Sequence, residues 1–285
     1  MRRSVINSRR RFVWYELITT DVSAAKAFYT TVMGWSAWDA SMPGRPYTFF
    51  IAGNAPAGGA MEFAEDARKS GATPTWIGYI QVDDVDTTAD WVARLGGVVH
   101  VPPTDVADIS RFAIFSDPQT ARLALRKWLK PGQEQPAELG VPGHVGWHEL
   151  LATDWEQAWT FYGELFGWQR ADADSSEIGT YQLFAAGGEI IGGICTKPAA
   201  TPAPMWLYYF SVTDLDAAAQ RVRAAGGEIL GGLREVPGGS WVIQCADPQG
   251  AMFALEGMRG RNPIGYFERV TSGDPSDPRG RRWSW

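Results

Sequence analysis

At 285 residues, 45% of them hydrophobic, the chain is long enough for two ordinary domains that each bury a core of their own. A net charge of −6 and a pI near 5.2 argue against nucleic acid or an anionic membrane surface as partner. No stretch approaches the roughly 20 apolar residues of a membrane span, and no apolar run precedes Phe12 to make a secretory signal.

The ends are basic: Arg2, Arg3 and Arg9 to Arg11 at one, Arg279, Arg281 and Arg282 at the other. Both clusters read as solvated tails. Phe12–Thr19 is rich in aromatic and β-branched residues and alternates like a strand. Asp21 then caps a helix to about Val32, with Ala24, Ala27, Phe28 and Val32 at helical spacing and Gly34 as the stop. Tyr47–Gly53 and Gly59–Phe63 read as further strands. The glycine pair Gly58-Gly59, like Gly192-Gly193, reads as a bulge or turn in strand context. Trp76–Val82 begins the scheme again. Asp86 caps a helix through Leu95, Gly96-Gly97 ends it, and strands follow near Val98–Val101, Arg111–Phe115 and Leu123–Trp128.

The second half says nearly the same thing. Asp21…Phe28-Tyr29…Gly34-Trp35 returns as Asp154…Phe161-Tyr162…Gly167-Trp168, an offset of 133 (154 less 21). Asp84-Val-Asp86…Gly96-Gly97 returns as Asp214-Leu-Asp216…Gly226-Gly227, and Asp117-Pro-Gln119 as Asp247-Pro-Gln249, both offset by 130 (214 less 84, 247 less 117). So small a drift means two head-to-tail copies of one domain, each a tandem of two βαβββ units. The expected boundaries are a basic tail over 1–10, domains over 11–129 and 143–258, a Pro- and Gly-broken linker over 130–142, and a tail over 259–285. That tail ends in Trp-Ser-Trp and is expected to pack back onto the body.

The strand–Asp–helix–Phe-Tyr opening, Val82–Asp86 before the second helix, and Asp117-Pro-Gln119 or Asp247–Gly250 before the last strand carry a resemblance. The chain resembles the vicinal-oxygen-chelate superfamily, which holds glyoxalase I, bleomycin-resistance proteins and extradiol dioxygenases. The resemblance implies an α+β fold of two tandem glyoxalase-like domains, each a pair of βαβββ units forming a cupped mixed β-sheet with helices outside. It also implies metal-ligand positions. Carried over, those fall on Trp14, Ile77 and Ala124 in copy one and Trp147, Leu207 and Ala254 in copy two. A fourth falls on Met61 or Glu62, and on Cys195 or Thr196. Trp, Ile, Leu and Ala offer a divalent cation no lone pair, so no metal and no cofactor are expected.

Little else in the sequence points to chemistry. His148 follows Trp147 on one strand and by alternation faces away from the cup. His144 has no evident acidic partner, and His100 reads as a surface residue. Cys195 and Cys245 lie opposite Met61 and Phe115 and read as small core residues of a reducing, cytoplasmic compartment.

Two carboxylates stand out. Glu16 and Glu149 share strand faces with Trp14 and Trp147, and an unpartnered buried charge is costly. Arg122 and Arg126 flank Ala124 at period two and are expected to pair with Glu16. Copy two has Met252 and Glu256 there, leaving Glu149 protonated or paired elsewhere. Trp-x-Glu-Leu reads either as a packing signature or as an acid/base or ligand anchor between aromatics, with Tyr47 and Tyr181 adding walls.

The leading expectation is binding or sequestration of a small aromatic or planar organic molecule in a Trp-lined pocket. Beside it stands a metal-independent lyase, isomerase or hydroxylase-type enzyme on a small carbonyl compound, using Glu16 or Glu149. A metal-dependent glyoxalase or dioxygenase, or a partner-binding protein using the tail, ranks lower. The expected partner is a small molecule, with the chain a monomer or homodimer.

Overall fold

The computed structural model describes residues 10–42, 45–69, 71–106, 108–130, 139–176 and 179–260. The two terminal tails up to residue 9 and from 261, with the Trp-Ser-Trp end, and most of the expected linker lie outside the described residues.

Copy one runs β1 (Phe12–Thr19), α1 (Val22–Met33), β2 (Ser36–Met42), β3 (Arg45–Ala52), β4 (Ala55–Glu62), α2 (Glu65–Lys69), β5 (Thr75–Gln81), α3 (Val85–Arg94), β6 (Val98–Val106), β7 (Ser110–Ser116) and β8 (Arg122–Trp128). Copy two runs β9 (Val145–Ala152), α4 (Trp155–Phe166), β10 (Gln169–Ser176), β11 (Gly179–Ala186), β12 (Glu189–Thr196), β13 (Met205–Val212), α5 (Leu215–Ala224), β14 (Glu228–Ile229), β15 (Arg234–Glu235), β16 (Trp241–Ala246) and β17 (Met252–Gly257). Each copy folds into one cupped mixed sheet. The orders are β2-β3-β4-β1-β5-β8-β7-β6 and β10-β11-β12-β9-β13-β17-β16-β14, with β15 also on β16. In both, the strands opening the two units lie antiparallel at the centre, and each is flanked by the parallel strand that closes its own unit.

Local chemistry sets the element ends. The Asp21 carboxylate accepts from Ala24 N and the Asp154 carboxylate from Glu156 and Gln157 N, starting α1 and α4. Gly34 and Gly167 end them with φ of 70° and 64°, the left-handed conformation that glycine adopts without a Cβ clash. α3 departs from expectation: its cap is Asp84, which accepts from Thr87 N, and Asp86 sits in the first turn, where it pairs with Arg111. Along α1, Ala25, Phe28, Tyr29 and Val32 are buried while Ala27 is exposed.

The helix-bearing faces of both sheets share one continuous core, so the copies are joined by packing as well as by chain. Its centre is reciprocal. The Tyr29 hydroxyl donates to Asp247 Oδ2 (3.1 Å) and accepts from Trp76 Nε1 (2.9 Å). In mirror fashion, Tyr162 donates to Asp117 Oδ2 (3.0 Å) and accepts from Trp206 Nε1 (3.1 Å). Each aspartate's other oxygen accepts from two backbone N–H groups of its own turn, at 119 and 121 or at 249 and 251. The repeated Phe-Tyr and Asp-Pro-Gln motifs are thus two halves of one cross-copy contact.

His148 lies in this seam, away from the cup. It stacks on Phe12 at 3.9 Å, and its Nδ1 donates to the Ile191 carbonyl (2.6 Å). That leaves Nε2 to accept from the Tyr15 hydroxyl (2.6 Å). Burial holds its pKa down at about 3. Arg10 and Arg11 also depart from expectation, since neither is solvated tail. Arg10 donates to the Phe166 carbonyl at the end of α4, and Arg11 is buried against Glu189. No helix among the described residues is long and apolar enough to cross a membrane.

Candidate functional site

Alternation along β1 puts Trp14, Glu16 and Ile18 on the face opposite the helices, and β9 does the same with Trp147 and Glu149. The register completes two rows. Trp14 lies beside Tyr79, which lies beside Ala124; Glu16 lies between Gly59 and Ile77. Copy two repeats this as Trp147–Tyr209–Ala254 and Gly193–Glu149–Leu207. The positions that the resemblance assigns to metal ligands therefore converge, as an apolar floor. Trp14, Tyr47, Ile77, Tyr79 and Ala124 form one cluster with Met61 packed on it, and Leu207, Tyr209, Val242 and Ala254 form the other with Trp147.

Glu62 does not turn inward: it is exposed, 3.6 Å from Arg68. No group of three or more His, Cys, Asp or Glu among the described residues is placed to hold a metal ion. The side chains at these positions do not fit the metal centre that the resemblance implies.

Glu16 is buried, yet its partners are not arginines. Tyr47 donates to Oε1 (2.8 Å), Tyr79 donates to Oε2 (2.6 Å), and Trp14 Nε1 donates on to the Tyr47 oxygen (3.1 Å). Arg122 stands exposed at the rim of the cavity. Arg126 is buried, but it lies over rings, 3.7 Å from the centroid of Trp128 and 5.6 Å from those of Trp14 and Tyr79. The expected Glu16–arginine pair is replaced by a tyrosine clamp because Tyr47 on β3 and Tyr79 on β5 reach the carboxylate from neighbouring rows.

In the second cup, Tyr209 donates to Glu149 Oε2 (2.7 Å), and Trp147 Nε1 donates to the Tyr181 oxygen (2.9 Å). Burial pushes the Glu149 carboxyl above the ordinary carboxylate range, opposed by the hydrogen bonds from Tyr209 and Tyr181 and by the charge of Arg234. Arg234 on β15 is a cation that sequence reasoning missed. Its strand is two residues long and sits among glycines, with no periodic signal. Tyr79 and Tyr209 were also missed, although period two from Ile77 and Leu207 marks their face. Glu256 is half-buried and Met252 packs on the cup floor. Cys195 is half-buried near Glu149, while Cys245 is fully buried; burial pushes both thiols up.

The glycine pairs do adjoin bulges, with register shifts between the partners of Phe50 and Ile51 and of Phe184 and Ala185. Gly59 and Gly193 are also mid-strand cradles: a Cβ on either would overlap the Tyr47 hydroxyl or the Tyr181 ring. His100 is exposed, as expected, and bonds Ser116 Oγ (2.9 Å) at the cavity's edge. His144 is buried and lines the cavity. The first cup is part of a cavity of about 1240 Å³ whose lining runs from Trp14, Tyr47, Phe49, Tyr79, Phe112 and Trp128 to Tyr15, Val145 and His148 at the seam.

With this architecture, the chain belongs to the Glyoxalase/Bleomycin resistance protein/Dioxygenase superfamily, whose sequence profile matches twice, over residues 11–125 and 142–255. Among relatives, it is 33% identical over 244 residues to the Mycobacterium tuberculosis protein named "Putative glyoxylase CFP32", covering 85% of this chain and 92% of that one. It is 30% identical to the anthracycline biosynthesis protein DauV of a Streptomyces species, covering 88% and 94%. The crystal structure of a Mn(II)-bound glyoxalase from Novosphingobium aromaticivorans shares the fold, with a TM-score of 0.60 at 16% identity over 87% of this chain and 82% of that one.

Proposed function

We propose that this protein binds a small planar organic molecule without a metal, holding it in the aromatic cup of the first domain. The observation that carries the reading is the convergence of Trp14, Met61, Ile77 and Ala124 where the superfamily's ligand positions fall. Aromatic and aliphatic walls with a few fixed polar groups are the makeup of a small-molecule pocket. Glu16, clamped by two hydroxyls, supplies an oriented anchor on the floor. Two relatives are named for anthracycline biosynthesis, which is in keeping with a small organic ligand. The low-identity likeness to a manganese-bound glyoxalase carries no metal over to this chain.

The test is elemental analysis of the purified protein together with titration of planar aromatics followed by tryptophan fluorescence. Expected are metal contents far below one per chain and saturable quenching that Trp14→Ala removes. Stoichiometric manganese, iron, nickel or zinc in either cup would overturn the reading.

A second reading is favoured by Glu149, whose raised pKa and buried seat beside Tyr209 suit proton transfer. It makes the chain a metal-independent lyase, isomerase or hydroxylase-type enzyme acting on a small carbonyl compound, as the relative's glyoxylase name suggests. A turnover screen in which Glu16→Gln and Glu149→Gln leave every detected activity untouched would reject it. For either reading we propose a cytoplasmic monomer or homodimer with the domain boundaries given above.

A further inference from the structure

Arg126 is 9% exposed, its buried Nε has no hydrogen-bond partner, and no carboxylate among the described residues forms an ion pair with it, Glu16 acting on it only as a more distant charge. A guanidinium carries five donors and stays charged, so burying one with a donor unmatched is costly. Its faces are occupied. Trp128 lies 3.7 Å from the guanidinium carbon, and Trp14 and Tyr79 lie 5.6 Å away. Stacking uses the plane's faces and leaves its edge, where the N–H groups point.

The neighbours repeat the pattern. Ser110 pairs with Trp128 across β7 and β8, and neither Ser110 Oγ nor Trp128 Nε1 has a partner among the described residues. All three side chains line the cavity. One end of the first cup thus gathers an Arg126 N–H, the Trp128 N–H and the Ser110 hydroxyl, all unpartnered among the described residues, and the one amide oxygen in register with Arg126, Gln81 Oε1, is unpartnered too.

The ion pairs of the lining leave Arg126 out. Arg11 is paired with Glu189 and Glu62 with Arg68, while Arg111 is shared by Asp105 and Asp86. Glu16 is the carboxylate nearest in charge to Arg126, and its oxygens are already taken by Tyr47 and Tyr79.

We propose that the Ser110–Arg126–Trp128 end of the first cup binds the carboxylate of an aromatic acid whose ring lies along Trp14, Tyr79 and Phe112. A carboxylate meets the edge of a guanidinium through two parallel N–H···O bonds, which a neutral amide cannot match. The cavity has room for a ring system of two or three fused rings. The second cup has Met252 in place of Arg122 and Glu256 in place of Arg126, so the acid site belongs to the first cup alone. This assignment rests on the small-molecule reading above and narrows its ligand class.

The test is calorimetric titration of the full chain with 2-naphthoate and its neutral isostere 2-naphthamide. Wild type is expected to prefer the acid about ten- to a hundredfold, the range of hydrogen bonds to a charged group. Arg126→Met should bring the two ligands to within about twofold, and Arg126→Lys, which keeps charge but loses the fork, should fall between. Trp128→Phe preserves the ring and removes one N–H, so it gives a second readout should Arg126→Met fail to fold. Its acid preference should shrink. Equal binding of acid and amide by wild type, or an acid preference that survives Arg126→Met, would overturn the carboxylate site and leave the planar-ligand reading standing. Binding of neither probe would overturn both.

Discussion

His148 shows what a single residue in the seam does to the whole. With Nδ1 fixed on the Ile191 carbonyl and Nε2 accepting from Tyr15, the neutral ring has no room for a second proton. Its pKa is about 3 in the fold against 6.5 for a free side chain. Between those values the unfolded chain binds the proton and the folded one does not, so stability falls as pH drops through 6.5 towards 3. His148 alone should cost the protein about 1–2 kcal/mol between pH 6.5 and 5. In His148→Gln, whose amide can still donate to Ile191 and accept from Tyr15, that loss should disappear. Urea denaturation at intervals over this range, with His100 and His144 present in both proteins, isolates the difference. Parallel slopes for wild type and variant would contradict the account.

At the scale of elements, β4 and β12 owe their mid-strand glycines to the tyrosine lying across each. Gly59→Ala should drive Tyr47 off the Glu16 carboxylate and destabilise by about 1–3 kcal/mol, the usual cost of overpacking. In a Tyr47→Ala background the same change should cost little, so the double-mutant cycle measured by denaturation should be strongly non-additive. An additive cycle would place the strain elsewhere.

The same elements show how much of the protein its sequence discloses. β1, α1 and their copies were legible because Asp21 and Gly34, with Asp154 and Gly167, punctuate them on both sides. The face of Glu16 and Glu149 followed from period two alone. β2 escaped notice because Ser36–Met42 is an edge strand carrying Asp39 and Ser41, with a partner on one side only. The Glu16–arginine pairing misled for a different reason. Register across β3, β1 and β5 decides which polar group reaches a carboxylate first, and spacing within one strand does not contain it. Arg234 lies further still from any local signal, since only the pairing of β15 with β16 brings it to Glu149.

At the scale of the molecule, the two copies share one core and two reciprocal Tyr–Asp contacts, so they should unfold as one unit despite the repeat. Thermal and chaotrope denaturation should each give a single cooperative transition, coincident by far- and near-ultraviolet circular dichroism. Tyr29→Phe removes the donor to Asp247 and the acceptor for Trp76. It should lower stability by about 1–3 kcal/mol without splitting that transition. Two transitions in wild type would mean that the seam is weaker than its packing implies.

The seam and the cups are built from opposite faces of the same strands. Tyr15 and His148 belong to the seam, while their neighbours Trp14, Glu16, Trp147 and Glu149 belong to the cups. Because the helix-bearing faces meet in one core, the cup residues lie on the sheet faces turned away from it, in two separate clusters. Alternate residues of β1 and β9 can therefore be repainted for a new guest while the intervening ones go on holding the halves together. For anyone wishing to build a receptor with two different specificities on one chain, this scaffold arrives with the wiring of its two sockets already separate.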